Sequence, residues 1–318
     1  MVAGSNPVAP TIFSIPATFT RRRRGASGPD RNLPVVALIS YQIADALVRV
    51  LPAGAADRLA VRIARAAFAL RLPARRALEA NLGWLLGSAS PAAIRECARA
   101  AFEHFALTLA DFLRLARLGP ESLGRAIEVR GAEHLAAARA SGRGVILLSA
   151  HVGNWEWGVA YLGVSGARIH VVAKPHASRP VEEFFARRRG RWGVCRIANR
   201  PLWAGAARAL RRREWVALMG DRNAPGERGS ACAWAEALAR RTGALILPAV
   251  MLRLASGRYA ACFEAPLGAE RRAPDRGRAA LRRYLVSHPG QWCAFERVAD
   301  GLTPATAGDP GALEDTAA

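Results

Sequence analysis

Residues 143–158 read RGVILLSAHVGNWEWG. After an arginine and a glycine comes a nearly unbroken apolar run, Val145–Ala150, with no polar alternation. That is the pattern of a strand buried on both faces, as in a parallel sheet covered by helices. His151 follows at the carboxyl end of this strand. Gly153 permits a tight turn, and Asn154 is a good cap for a helix beginning at Trp155. Open α/β sheets hold ligands beyond the carboxyl ends of their strands, beside helix N-termini, so His151 stands where a site is expected. From the first helical turn, Glu156 reaches back toward His151, where a carboxylate fixes the tautomer and balances the imidazolium charge. The other ring nitrogen is then a general base. No GxSxG occurs and Ser149 is expected to point into the sheet, so the implied chemistry is direct attack by a bound acceptor, without a covalent enzyme intermediate. A histidine followed five residues later by a glutamate is also what a plain turn beside a capping carboxylate offers.

The surrounding sequence repeats the alternation. Further strands are expected at 168–173, 215–219, 244–252 and 259–263. Helices are expected at 180–191, 201–212 and 232–242, with a long one over 91–118. Alternating strands and helices give an α/β class with helices on both faces of a sheet. At the front, 35–51 and 59–72 read as amphipathic helices, buried or lying in a membrane interface. Gln42, Asp45 and Arg49 interrupt the first, which is too short to span a bilayer. Residues 1–32, with the run Arg21–Arg24, are set apart as a disordered or mis-started extension. The charges follow the weakly apolar stretch, which is the wrong order for a signal peptide. Residues 33–300 form the domain, and 301–318 read as a disordered tail.

The 318 residues are 51% hydrophobic, ample for a core, and carry a net charge of +21 from 46 Lys+Arg against 25 Asp+Glu. Lys174 is the only lysine. So basic a surface attracts phosphates, anionic lipid headgroups or an acidic carrier protein. A nucleic-acid module is the rival reading, but the arginines are dispersed and no recognition motif is present. Cys97, Cys195, Cys232, Cys262 and Cys293 are scattered without CxxC pairing, and are read as mostly buried thiols of a reducing compartment. No metal site is expected, since HExxH and clustered ligands are missing. Among the remaining histidines, His104 and His134 read as core or surface residues of helices and His170 as the start of a strand. His176 lies near the expected site, and His288 belongs to the C-terminal HPGQW stretch.

The HVGNWE string after a buried strand resembles the bacterial lipid A biosynthesis acyltransferases, within the wider lysophospholipid acyltransferase group whose signature is His, four residues, then Asp or Glu. The resemblance runs from about residue 38 to 297. It includes VVAKPHASRPVEEFFARRRGRWG (171–193), WVALMGDRN (215–223), ARRTGALILP (239–248) and HPGQW (288–292), where Gly290 replaces a glutamate. It implies an αβα sandwich of the glycerol-3-phosphate acyltransferase type with N-terminal amphipathic helices. It implies His151 and Glu156 as the catalytic pair. It also implies Arg189 and Asp221 as supporting residues, with Lys174 in place of a family arginine. Asn154, with backbone N–H groups near Gly153, and Arg189 are the two candidate sources of oxyanion donors, and Asp221 is expected to hold Arg189 or the acceptor.

The implied reaction moves a fatty acyl group from a thioester to a hydroxyl of a membrane lipid, such as a lipid A precursor. The alternatives are a lysophospholipid, aminolipid or phosphatidylinositol mannoside acceptor, or a non-catalytic lipid-binding relative. No cofactor is expected beyond acyl carrier protein or coenzyme A as co-substrate. The place of action is the cytoplasmic face of the inner membrane, peripheral or monotopic, on an anionic surface and with no specific nucleic acid. The loop after Asp221 is shorter than the family's usual one, which bears on acceptor and chain length.

Overall fold

The computed structural model describes residues 33–173, 176, 178–197, 202–222, 230–268 and 274–298. The N-terminal extension, the tail, Lys174 and most of the loop after Asp221 lie outside the described residues. In chain order the elements are α1 (Leu33–Val50), α2 (Ala53–Ala69), α3 (Pro73–Leu86), α4 (Pro91–Leu115), α5 (Pro120–Arg125), β1 (Ile127–Arg130), α6 (Ala132–Ala140), β2 (Val145–Ser149), α7 (Trp155–Val164) and β3 (Ile169–Val171). There follow α8 (Arg179–Gly190), β4 (Val194–Arg196), α9 (Leu202–Arg211), β5 (Trp215–Met219), α10 (Ala231–Thr242), β6 (Leu245–Arg253), β7 (Tyr259–Phe263), α11 (Pro274–Ser287) and a short 3-10 turn, Pro289–Gln291.

The strands form one seven-stranded sheet in the order β1-β7-β6-β2-β5-β3-β4. Pairing is parallel from β6 through β2, β5 and β3 to β4. One pairing departs from the parallel run. The turn after Arg253 folds β7 back antiparallel to β6, and β1 then pairs in parallel with β7. The three-residue strand β4 and the four-residue strand β1 were not foreseen. Both are too short to show a hydrophobic period.

Every residue of β2 is buried, and its alternation serves two separate cores. Ile146 and Leu148, with Val216, Leu218, Ile246 and Val250, face a layer built from α2, α3, α4, α9, α10 and α11. Val145 and Leu147, with Trp215, Ala217, Leu247 and Met251, face a layer containing α1, α5, α6, α7 and α8. Each Val, Ile, Leu or Met among them removed from water contributes about 1.5–3 kcal/mol. The helices start where the sequence marks them. Ser90 accepts from the amide of Ala93 ahead of α4, and Ser230 from that of Ala233 ahead of α10.

Helix α1 departs from the ordinary partition. Ala37 and Tyr41 are buried, Tyr41 against Phe185 of α8, and Asp45 meets Arg188 at 2.9 Å. The opposite side presents Val36, Ile39, Ile43, Leu47 and Val50 to solvent at spacings of three and four residues, with Ile43 55% and Val50 80% exposed. The next helix exposes Arg58 and Arg62. Among the described residues no helix is long and apolar enough to cross a membrane.

Candidate active site

Strands β2 and β5 are adjacent and in register, Ser149 opposite Met219. Two residues further on, each chain carries its functional side chain, His151 on one and Asp221 on the other. Neighbouring strands lie about 4.8 Å apart, so the side chains meet. Nδ1 of His151 is 2.9 Å from Oδ1 of Asp221. Asp221 is wholly buried, and its second oxygen accepts from Nε1 of Trp292 at 2.9 Å. Burial alone would raise this carboxyl. The His151 charge and hydrogen bond, nearby Arg222 and the Trp292 indole outweigh burial and hold it well below the usual carboxylate range. An ionised carboxylate only accepts, so Nδ1 is the donor, and in the neutral imidazole the lone pair then sits on Nε2. The His151 side chain keeps 21% of its surface exposed, and the Trp155 ring stands edge-on to it at 5.1 Å.

This geometry corrects the expected division of labour between the two carboxylates. Glu156 does not turn back to the imidazole. Its two oxygens take Nε and Nη2 of Arg189 on α8, at 2.9 and 2.5 Å. Nor does Asp221 hold Arg189. The guanidinium is nearly buried, packed over Phe185, and a planar fork in such a place needs a carboxylate that meets it bidentately. The imidazole finds a nearer partner on the adjacent strand.

A second correction concerns the oxyanion. Gly153 adopts φ +66°, and a Cβ there would lie 1.8 Å from the carbonyl oxygen of Met251, so only glycine fits. That close approach engages the turn's amides. The N–H of Gly153 donates to Gln291 O at 3.1 Å and that of Asn154 to Met251 O at 2.7 Å. Neither is available to a reacting carbonyl. These two amides therefore drop out of the donors considered.

The HPGQW stretch is part of the site, not only a C-terminal brace. Gln291 bonds both backbone groups of Arg253, Trp292 reaches Asp221, and Cys293 N donates to His151 O at 2.7 Å. The sequence reading missed Trp292. Its signal was a buried indole, which needs an acceptor for its N–H. His288 itself bonds Ser287 on the exposed side. His104 is buried against the catalytic turn, and burial, despite the Gly153 carbonyl, lowers it to about 4. His170 pairs with Glu214 and His176 with Glu182. Cys232, Cys262 and Cys293 are buried, Cys97 is half-buried and Cys195 is exposed, so the thiols are mostly internal, as expected.

Beside Trp155, between the sheet and α7, lies a small apolar cavity of about 30 Å³ bordered by Ser149, Trp155, Gly158, Met219, Ala249 and Met251, among others. Ser149 therefore faces this cavity as well as the sheet. The described residues contain no group of three or more metal-ligating side chains.

The model of the family described as bacterial lipid A biosynthesis acyltransferase matches residues 31–295. That span encloses every residue of the site, from His151 to Cys293. No curated protein matches the chain.

Proposed function

The chain belongs to the bacterial lipid A biosynthesis acyltransferase family, and from that premise we propose that it transfers a fatty acyl group from a thioester donor to a hydroxyl of a membrane lipid of the lipid A precursor kind, with His151 as general base. The observation that carries this reading is the chain Trp292–Asp221–His151, whose last nitrogen has no partner carboxylate among the described residues.

His151 Nε2 takes the proton of the acceptor hydroxyl as its oxygen attacks the thioester carbonyl. The new C–O bond forms, the C–S bond breaks, and the imidazolium returns the proton to the departing thiolate. Asp221, kept anionic, holds Nδ1–H and so the tautomer, and balances the transient positive charge. Glu156 holds Arg189, the cation assigned to the developing oxyanion. Preorganised donors of this kind are worth about 10²–10³ in rate. The apolar lining beside Trp155, whose ring also meets His151, suits the start of the acyl chain. Asn154 serves the site as the cap of α7, and Lys174 is proposed to contact the acceptor's anionic groups. No cofactor enters this scheme; acyl carrier protein or coenzyme A is the co-substrate.

The outer stripe of α1 is proposed to lie in the bilayer interface at the cytoplasmic face of the inner membrane, with Arg58 and Arg62 toward anionic headgroups.

The test is lipid mass spectrometry of membranes incubated with purified protein and either donor, comparing wild type with His151→Ala. A new acylated species that vanishes in the variant is the expected result, and its mass identifies the acceptor. No species from folded, membrane-bound wild type with either donor overturns the reading.

A further inference from the structure

The catalytic turn has a second tether, unused in the scheme above. Asn154 is fully buried. Its Oδ1 accepts from the Trp157 amide at 3.3 Å and its Nδ2 donates to Oη of Tyr259 at 3.0 Å. Tyr259, buried at the start of β7, donates in turn to Oδ2 of Asp111 on α4. The backbone carbonyl of Asp111 accepts from Nε1 of Trp157 at 3.1 Å, and the Trp157 ring lies against Tyr259 with centroids 4.7 Å apart. Asp111 is held between Arg114, at 2.6 Å, and Arg253, at 3.4 Å; Arg114 continues to Asp57 on α2 at 2.6 Å.

The direction of every bond in this chain is forced. A carboxylate between two guanidinium groups only accepts, so Tyr259 donates to it. The phenol oxygen then accepts, which selects the amide nitrogen of Asn154. That leaves the amide oxygen toward the Trp157 N–H, the orientation a helix cap requires. Reversed, the amide would set donor against donor at the first turn of α7. Burial and the Asp111 charge both push the Tyr259 phenol up, so it keeps its proton. Asn154 stands between His151 and Glu156, so its orientation sets how the base and the Glu156–Arg189 pair are disposed.

We propose that Tyr259 and Asp111 are positioning residues for the acyl transfer, acting through Asn154 to fix the turn that separates His151 from the Glu156–Arg189 pair. The proposal rests on the acyltransfer reading above. Its test is a double-mutant cycle on the purified full chain, Tyr259→Phe with Asn154→Ala, read by steady-state acyl transfer and by backbone hydrogen exchange over residues 152–158. Loosening a reacting geometry costs up to about a hundredfold. Tyr259→Phe is therefore expected to lower kcat roughly ten- to a hundredfold, with KM for the thioester within about twofold and faster exchange at the turn. The double variant should be no slower than the worse single one, since both remove the same tether. Should Tyr259→Phe fail to fold, Asp111→Asn against Asp111→Ala decides, since the amide keeps an acceptor for Tyr259 and should recover most of the kcat lost in the alanine variant. A folded Tyr259→Phe with wild-type kcat and exchange, losses that multiply in the double variant, or equal Asn and Ala variants at 111 would overturn the proposal. Inactive wild type would instead strike the acyltransfer reading, and the exchange data would still judge the tether.

Discussion

The carboxyl edge of β2 and β5 and the outer face of α1 break the same rule in opposite directions. Folded chains put charge outside and cover apolar side chains where they can. At the β2–β5 edge, Asp221 and Glu156 are both buried, and each is saturated by named donors. On α1, five large aliphatic side chains stand in water along one stripe. The first departure is tolerable only because every buried charge is paired. The second is tolerable only if something covers the stripe when the protein works. Both departures act where folding alone gives no reason for them, one at the candidate site and one on the surface proposed to meet a bilayer.

Within the buried region, two substitutions separate orientation from support. Asp221→Asn is expected to give the largest effect, a fall in kcat on the order of 10³–10⁴. The amide can turn its NH₂ toward Nδ1 and hold the wrong tautomer, as in other imidazole–carboxylate pairs. Steady-state assays on folded protein measure it. Glu156→Gln is expected to act first on stability. It leaves the Arg189 charge buried without its carboxylate, a loss of about 3–5 kcal/mol, read as a lower midpoint in urea. Equal rate losses with unchanged stability in both variants would mean that the two carboxylates do the same job, contrary to their partners.

These pairs show how much of the site the sequence displayed. The buried strand, the turn glycine, the Asn154 cap and the histidine at the strand end are local features, and they read correctly from residues 143–158. The partner of His151 is not local. Asp221 reaches it only through the register of β2 with β5, which no spacing along the chain encodes. Glu156, five residues away, was the natural but mistaken orienting group. Trp292, Tyr259 and Asp111 escaped notice for a related reason, since each joins the site across more than 40 residues. The antiparallel β6–β7 hairpin was equally invisible, because two buried strands look alike whatever their direction.

Acid titration sharpens the contrast from another side. His104 is buried under the catalytic turn and lowered to about 4 by desolvation. The unfolded chain therefore binds a proton at about pH 6.5 that the folded chain refuses until about pH 4. Above pH 6.5 the two states agree and stability is unaffected. As pH falls from there toward 4, stability drops, by about 3 kcal/mol over the window. Urea titrations at pH 7.5 and 4.5 should show the slope, and His104→Gln should remove that share of it. A slope unchanged by the substitution would assign the acid sensitivity to other groups.

The smallest effect is expected on α1, where it is the most diagnostic. Ile43 is more than half exposed, so Ile43→Ser removes little from the core and the urea midpoint should hardly move. If the stripe enters a bilayer interface, the same change removes about 2 kcal/mol of apolar burial from the bound state, roughly a thirtyfold weaker partition into anionic vesicles, while kcat on detergent-dispersed acceptor stays at the wild-type value. Tyr41, two residues away on the buried side and stacked with Phe184, provides the opposite case. Its replacement by serine should cost stability in solution, and vesicle binding only in proportion to the unfolded fraction. Ile43→Ser that binds vesicles as wild type does would detach the stripe from the membrane and leave its exposure without a partner. A loss confined to Ile43→Ser would place the protein's lipid contact on one face of one helix, built from the same residue types that its other face uses to fold.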